Sequence, residues 1–151
     1  MRLDKLHVDK FKNLVNFDID FDQYQLTTVL IGENGTGKSN LLEALVLIFR
    51  NLHLGQKTEF GYKLDYICRG HNVHIDADPE AGVRHTLISV DEKAIGLKEF
   101  SSRWQEFLPN HVFAYYSGPT RRMEEHFDPH MKRFYDALLK SEGDDELANI
   151  F

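Results

Sequence analysis

Apolar and polar residues alternate along the first two segments of the chain. In residues 1–9, Leu3, Lys5, His7 and Asp9 fall on one side and Asp4, Leu6 and Val8 on the other, the period-two pattern of a strand. Lys10-Phe11-Lys12-Asn13 predicts a turn. Val15, Phe17, Ile19 and Phe21 then alternate with Asn16, Asp18, Asp20 and Asp22. That pattern predicts a half-buried antiparallel strand with a polar outer face. After Tyr24-Gln25 the alternation gives way to a continuous apolar run, and Leu26 to Ile31 reads as a short buried strand. From Lys38 to Leu54 the period lengthens. Leu41, Leu42, Leu45, Ile48 and Phe49 recur at spacings of three and four, which predicts a helix ended by Gly55 at its C′ position.

The middle third returns to short strands. Tyr62 to Arg69 and Asn72 to Ala77 flank Gly70, Asp78-Pro79-Glu80-Ala81-Gly82 is a turn, and Val83 to Val90 is a further strand. Short strands joined by tight turns imply an antiparallel β-subdomain over residues 60–95 rather than repeated βαβ units. Lys98 to Leu108 predicts a helix with Phe100, Trp104, Phe107 and Leu108 on one face, stopped by Pro109-Asn110. His111 to Tyr116 reads as an interior strand that ends at Ser117-Gly118-Pro119. Asp128-Pro129 is an N-cap and N1 pair for a last helix carrying Met131, Phe134, Tyr135, Leu138 and Leu139. An acidic break follows at Ser141 to Glu146.

Composition narrows the setting. A chain of 151 residues is long enough for one domain with a real core. It holds no run of eighteen apolar residues, so no transmembrane helix and no membrane partner is expected. Met1-Arg2-Leu3-Asp4-Lys5-Leu6 places acid and base too early for a signal peptide. The single cysteine, Cys68, fits a reducing compartment, and a cytoplasmic protein is expected. The formal net charge of −6 is opposite in sign to that of most domains whose main surface grips nucleic acid.

The candidate chemistry sits between the apolar run and the first helix. Gly32-Glu33-Asn34-Gly35-Thr36-Gly37-Lys38-Ser39 satisfies G-x-x-x-x-G-K-[ST], the phosphate-binding P-loop. Its glycines permit backbone angles at which consecutive N–H groups converge on an anion. The helix that begins near Lys38 adds unpaired N–H groups and the positive end of its dipole. Lys38 should reach the β- and γ-phosphates, and the Ser39 hydroxyl should ligate Mg2+ shared with them. Hydrolysis also needs an acid that holds the metal. Leu87-Ile88-Ser89-Val90-Asp91-Glu92 is the one candidate, with Asp91 as ligand and Glu92 as base. Ser89 interrupts its apolar run, and no helical crossover leads into it, so a solvated turn after an antiparallel strand is the better reading. Cys68, His71 and His74 lack the paired spacing of structural zinc. Asp128-Pro129 separates His126 from His130, and Arg121-Arg122 reads as a solvated loop.

The stretch from Gly32 to Leu45, with Asn34 inside the loop and Asn40-Leu41-Leu42-Glu43-Ala44 after it, resembles the SMC, RecF and OLD group of ABC-type ATPases. The turn Asp9-Lys10-Phe11-Lys12-Asn13 between the first two strands is similar to the same group. The β-rich middle and Tyr115-Tyr116-Ser117-Gly118 are similar to AAA15/21-like bacterial ATPases, some of which serve in phage defence. The resemblance is sharp over residues 1–50. It implies an α/β P-loop NTPase fold: the N-terminal lobe of an ABC-type ATPase head, with a mixed core sheet around the P-loop helix and the antiparallel β-subdomain. It implies that residues 1–151 bind ATP and Mg2+ through Gly32, Glu33, Asn34, Gly35, Thr36, Gly37, Lys38, Ser39 and Asn40. Lys38 would be the catalytic lysine, and Lys12 would lie near the phosphates. In the family a glutamine ends a strand after the β-subdomain; the corresponding place near Ser117-Gly118 has none, and Gln105 lies in the preceding helix. Signature motif, Walker B acids and switch histidine come from a C-terminal lobe. The expected partners are therefore that lobe, a second head that pairs on ATP binding, and DNA through the full assembly, with little hydrolysis by this chain alone. Two alternatives compete: a self-sufficient small kinase or GTPase that uses Asp91 and Glu92, and an interaction module that nucleotide only stabilises.

Overall fold

The computed structural model describes residues 1–113 except 22, 23, 26, 83 and 84, together with Asp128. The chain divides into two units, Met1–Ala114 and Tyr115–Phe151, and the elements below belong to the first. A hairpin of β1 (Arg2–Phe11) and β2 (Leu14–Asp20) is followed by α1 (Lys38–Leu54). The chain continues through β3 (Tyr62–Cys68), β4 (His71–Ala77), β5 (Thr86–Val90) and β6 (Lys93–Ile95), then α2 (Leu97–Ser102) and α3 (Trp104–Phe107). The strands form one sheet in the order β2-β1-β3-β4-β5-β6. Each neighbouring pair is antiparallel, with Leu6 opposite both Ile19 and Leu64 and with Ile75 opposite both Leu64 and Ile88. β3 to β6 thus extend the β1–β2 hairpin in a continuous sheet.

The core lies on one side of that sheet. Leu6, Val8, Leu64, Tyr66, Val73, Ile75 and Ile88 project from the strands, and Leu41, Ala44, Leu47, Ile48 and Leu52 of α1 belong to the same buried cluster. Each large aliphatic side chain removed from water there contributes on the order of 1.5–3 kcal/mol. α2 and α3 add Phe100, Phe107 and Leu108, with the two phenylalanine rings stacked at 5.4 Å. Cys68 faces this core, and the Tyr66 hydroxyl donates to the Phe107 carbonyl at 3.1 Å. Gly55 ends α1 in the left-handed region at φ 63°, its N–H directed to the carbonyls of Asn51 and Leu52.

Several expectations require correction. The apolar run that ends at Ile31 is not a strand: residues 27–31 carry no regular structure, and Val29 and Ile31 are 73% and 93% exposed. A parallel core strand is made by its neighbours, and no strand among the described residues pairs with this segment. The expected core sheet was mixed; every pairing described is antiparallel. In β2 the buried residue is Leu14, while Val15 is 62% exposed. Asn16 sits at φ 46° and shifts the phase of the alternation without changing the register, so Phe17 and Ile19 turn inward as expected. On α1 the buried stripe runs through Leu41, Ala44, Leu47, Ile48 and Leu52, leaving Leu42 exposed and Leu45 half-buried. The helix foreseen over Lys98 to Leu108 breaks at Arg103 into α2 and α3. His111 to Phe113 form no strand, and Phe113 is 90% exposed. The remainder of that run, Ser117-Gly118, Arg121-Arg122, His126, His130, the last helix beyond Asp128 and the acidic break lie outside the described residues.

Candidate nucleotide-binding site

The phosphate loop links the exposed segment 27–31 to the N-terminus of α1. Gly37 is the N-cap of α1 and lies at φ 108°, with Gly35 at φ 88°. Both angles are left-handed and strained for any residue with a Cβ. A Cβ on Gly37 would also meet Leu14 Cδ2 at 2.9 Å and Asn13 Oδ1 at 3.1 Å. The glycine is required by its backbone angle, and the side chains of Asn13 and Leu14 close on it.

No side chain caps α1, and its first turn holds no acidic residue. The first-turn N–H groups of a helix lack intrahelical acceptors and carry the positive end of the dipole, so this end is chemically suited to an anion. The loop is held in shape from within. Thr36 Oγ1 donates to the Glu33 carbonyl at 2.9 Å, and the Gly37 carbonyl accepts the first helical bond from Leu41 N at 2.8 Å. Lys38 Nζ donates to the carbonyls of Gly32 and Glu33 at 2.5 and 2.6 Å. The lysine is thus curled back over its own loop, its ammonium held by two backbone carbonyls. Ser39 and Asn40 follow in the first turn, both partly buried. Asn34 and Glu33 are exposed at the loop's tip.

The loop is also held from outside. Asn13 Nδ2 donates to the Gly35 carbonyl at 2.8 Å, and its Oδ1 accepts from Asn40 Nδ2. Lys12, at φ 54° in the same turn, makes an ion pair with Glu43 of α1. The turn that the sequence singled out for Lys12 therefore does lie against the loop. Glu43 had been read only as part of a motif. The signal that could have found it is an acid at a helix position otherwise flanked by buried apolar residues, Leu41, Ala44, Val46 and Leu47.

The other candidate residues are spent elsewhere. Asp91 and Glu92 form the two-residue β5–β6 turn at φ 49° and 66°, at the opposite end of the strand order from the β1–β2 hairpin. Asp91 accepts from Asn72 N at 2.9 Å and bonds His71 Nδ1 at 2.7 Å. The His71 bond, followed by the Asn72 N–H, holds its carboxyl below the usual aspartate range. Asp91 thus serves its own sheet, as the solvated-turn reading expects. His74 bonds Asp65, Cys68 faces the core, and no group of three or more His, Cys, Asp or Glu residues that could hold a metal occurs among the described residues. Among the described residues the Ser39 hydroxyl is the protein oxygen that would suit Mg2+, with phosphate oxygens and waters completing an octahedral shell. Gln105 lies exposed on α3. No helix among the described residues is long and apolar enough to cross a membrane.

Comparison with known proteins agrees with this geometry. The family described as AAA ATPase domain matches residues 1–146. The DNA replication and repair protein RecF of Anaeromyxobacter dehalogenans is 32% identical over 110 residues, 64% of this chain and 27% of that protein. RecF of Rickettsia bellii is 32% identical over 101 residues, 67% of this chain and 23% of the relative. RecF of Haemophilus influenzae reaches 49% identity over 45 residues, covering 30% of this chain and 12% of that protein. The chain thus spans about a quarter of the length of the first two of these relatives.

Proposed function

The chain belongs to the AAA ATPase domain family and carries the N-terminal, P-loop part of an SMC/RecF-like ABC-type ATPase; on that premise we propose that it is the ATP- and Mg2+-binding lobe of an ABC-type head. The observation that carries the reading is the open N-terminus of α1 beneath a loop with two left-handed glycines, with Lys38 folded over it. Backbone N–H groups and the helix dipole hold the phosphates, and Lys38 supplies the charge at the β- and γ-phosphates. The Ser39 hydroxyl holds Mg2+, which neutralises phosphate charge once bound. Lys12 adds a second cation from the β1–β2 turn.

What the phosphates require for hydrolysis, a metal-holding acid and a group that orients water, comes in this reading from a C-terminal lobe and a second head. Turnover by the chain alone then stays at background. The exposed apolar segment at Val29 and Ile31 supports the same view, since it is suited to strands supplied by such a lobe. The relatives' printed role supports a coupling to DNA replication or repair, with DNA contacted by the rest of the assembly, consistent with the acidic net charge of −6 here. A cytoplasmic location is part of the same proposal.

Titration with a fluorescent ATP analogue and Mg2+ tests the proposal. Saturable binding that Lys38→Ala removes is the expected result. Absence of binding by the wild-type chain overturns the reading. Brisk phosphate release by the wild-type chain alone overturns the incomplete-lobe part of it.

A further inference from the structure

Glu43 is a charged residue set among apolar ones. It is 2% exposed, on the stretch of α1 that fills the core. It lies four residues beyond Ser39, so the two side chains share one face of the helix, one turn apart. A carboxylate at this depth is costly unless cations or hydrogen-bond donors face it. Lys12 provides that charge from 31 residues away in sequence. The lysine is not itself a core residue. Its side chain is 41% exposed, its backbone is left-handed, and its ammonium stands 5.3 Å from the centroid of the Phe11 ring. Beside it, Asn13 ties the same turn to the Gly35 carbonyl and to Asn40. Three contacts therefore run from one two-residue turn to the phosphate loop and the first two turns of α1, and the one made by Lys12 ends on a buried side chain, that of Glu43.

We propose that Glu43 is a positioning residue for nucleotide binding: its buried carboxylate fixes the Lys12 ammonium, and with it the turn, at the edge of the phosphate loop, so that a second cation stands preset beside the polyphosphate. The inference rests on the nucleotide-binding reading above. A lysine on a flexible stem loses rotamer freedom when it meets a phosphate; one already anchored loses less. Glu43 touches no phosphate in this scheme and acts through Lys12.

The test is a cycle of Glu43→Gln, Lys12→Gln and the double variant, with the affinity for Mg2+-ATP and for Mg2+-ADP measured on the chain by fluorescent-analogue displacement, and with circular dichroism to establish the fold. Glu43→Gln is expected to weaken ATP binding about tenfold, the scale on which outer-layer partners act at bound ions. Lys12→Gln is expected to weaken it at least as much. The double variant, which keeps a donor and an acceptor facing each other without buried charge, should bind no worse than Lys12→Gln alone. Unchanged or tighter ATP binding by a folded Glu43→Gln overturns the proposal, as does a double variant that shows both losses summed. If Glu43→Gln fails to fold, the comparison of Lys12→Gln with the double variant still decides, because in this proposal Glu43 acts on the nucleotide through the charged Lys12. A wild-type chain that binds no ATP defeats the nucleotide-binding reading; a wild-type chain that binds ATP while these variants break the expected pattern defeats the role of Glu43 alone.

Discussion

Two hairpin turns of the same sheet make an instructive pair. Lys12-Asn13 joins β1 to β2, and Asp91-Glu92 joins β5 to β6; each is two residues long and each begins with a charged residue at positive φ. The Asp91 side chain closes back on its own sheet, onto His71 and the Asn72 N–H. The Lys12 and Asn13 side chains leave the sheet and reach the phosphate loop and α1. Local geometry does not distinguish a turn that serves the fold from one that serves the site. The destination of its side chains does.

The largest effect that sharpens this contrast lies at the loop both turns are measured against. Lys38→Ala should lower Mg2+-ATP affinity on the order of a hundredfold, the loss of a charge-assisted contact to phosphate, with thermal stability nearly unchanged. Next comes Gly37→Ala. It places a Cβ at φ 108° and against Leu14, and should cost about 2 kcal/mol of stability, read from the urea midpoint. Asn13→Ala removes two bonds to the loop and helix and should cost about 1 kcal/mol, with a several-fold loss of ATP affinity in the same titration. Asp91→Ala should leave ATP affinity at the wild-type value and lower the melting temperature only slightly. A loss of binding there would erase the distinction between the two turns and revive Asp91 as a metal ligand.

The smallest effect is a pH dependence. Bonding to Asp18, and then Asp9, raises the His7 pKa above 6.5. The contribution of this pair is fully present below the unfolded value and is lost as pH rises through the folded one, so stability should fall slightly from pH 6 to 8. The His7 side chain is half-buried, but its partners Asp18 and Asp9 stand 76% and 57% exposed, and solvent screening of those carboxylates holds the change below about 1 kcal/mol. Asp91 has the opposite sign: its lowered pKa gives a contribution present above the unfolded value and lost as pH falls through the folded one. Melting curves of the wild type and of His7→Gln and Asp91→Ala across pH 3–8 separate the two.

Much of the site was legible in sequence because its determinants are local. The three glycines, the Lys-Ser pair and the helical spacing after them fix the loop and α1, and Gly55 marks where that helix stops. The hairpin at Gly70 was legible for the same reason, since Arg69 and Gly70 take the two left-handed positions of a tight turn. What escaped depends on distant residues. The run ending at Ile31 has strand composition but no partner among the described strands, and composition cannot supply one. Asn16 shifts the alternation of β2 through a single backbone angle that the pattern of apolar residues does not encode. Glu43 was legible only as part of the motif after the loop, and its partner became visible when the fold brought Lys12 to it.

The pairing of β1 with β3 has a kinetic consequence. Val8 lies opposite Tyr62, so the whole phosphate loop and α1 are an excursion between two neighbouring strands. The β3–β6 meander can zip from its own turns, whereas the β1–β3 ladder must close a long loop, and that closure is paid before its contacts return anything. The ties from Lys12 and Asn13 lie wholly within that excursion and join it to itself, not to the meander. Amide exchange should therefore find the loop's neighbourhood opening before the meander does, so that among the described elements the first to come apart is the proposed phosphate site.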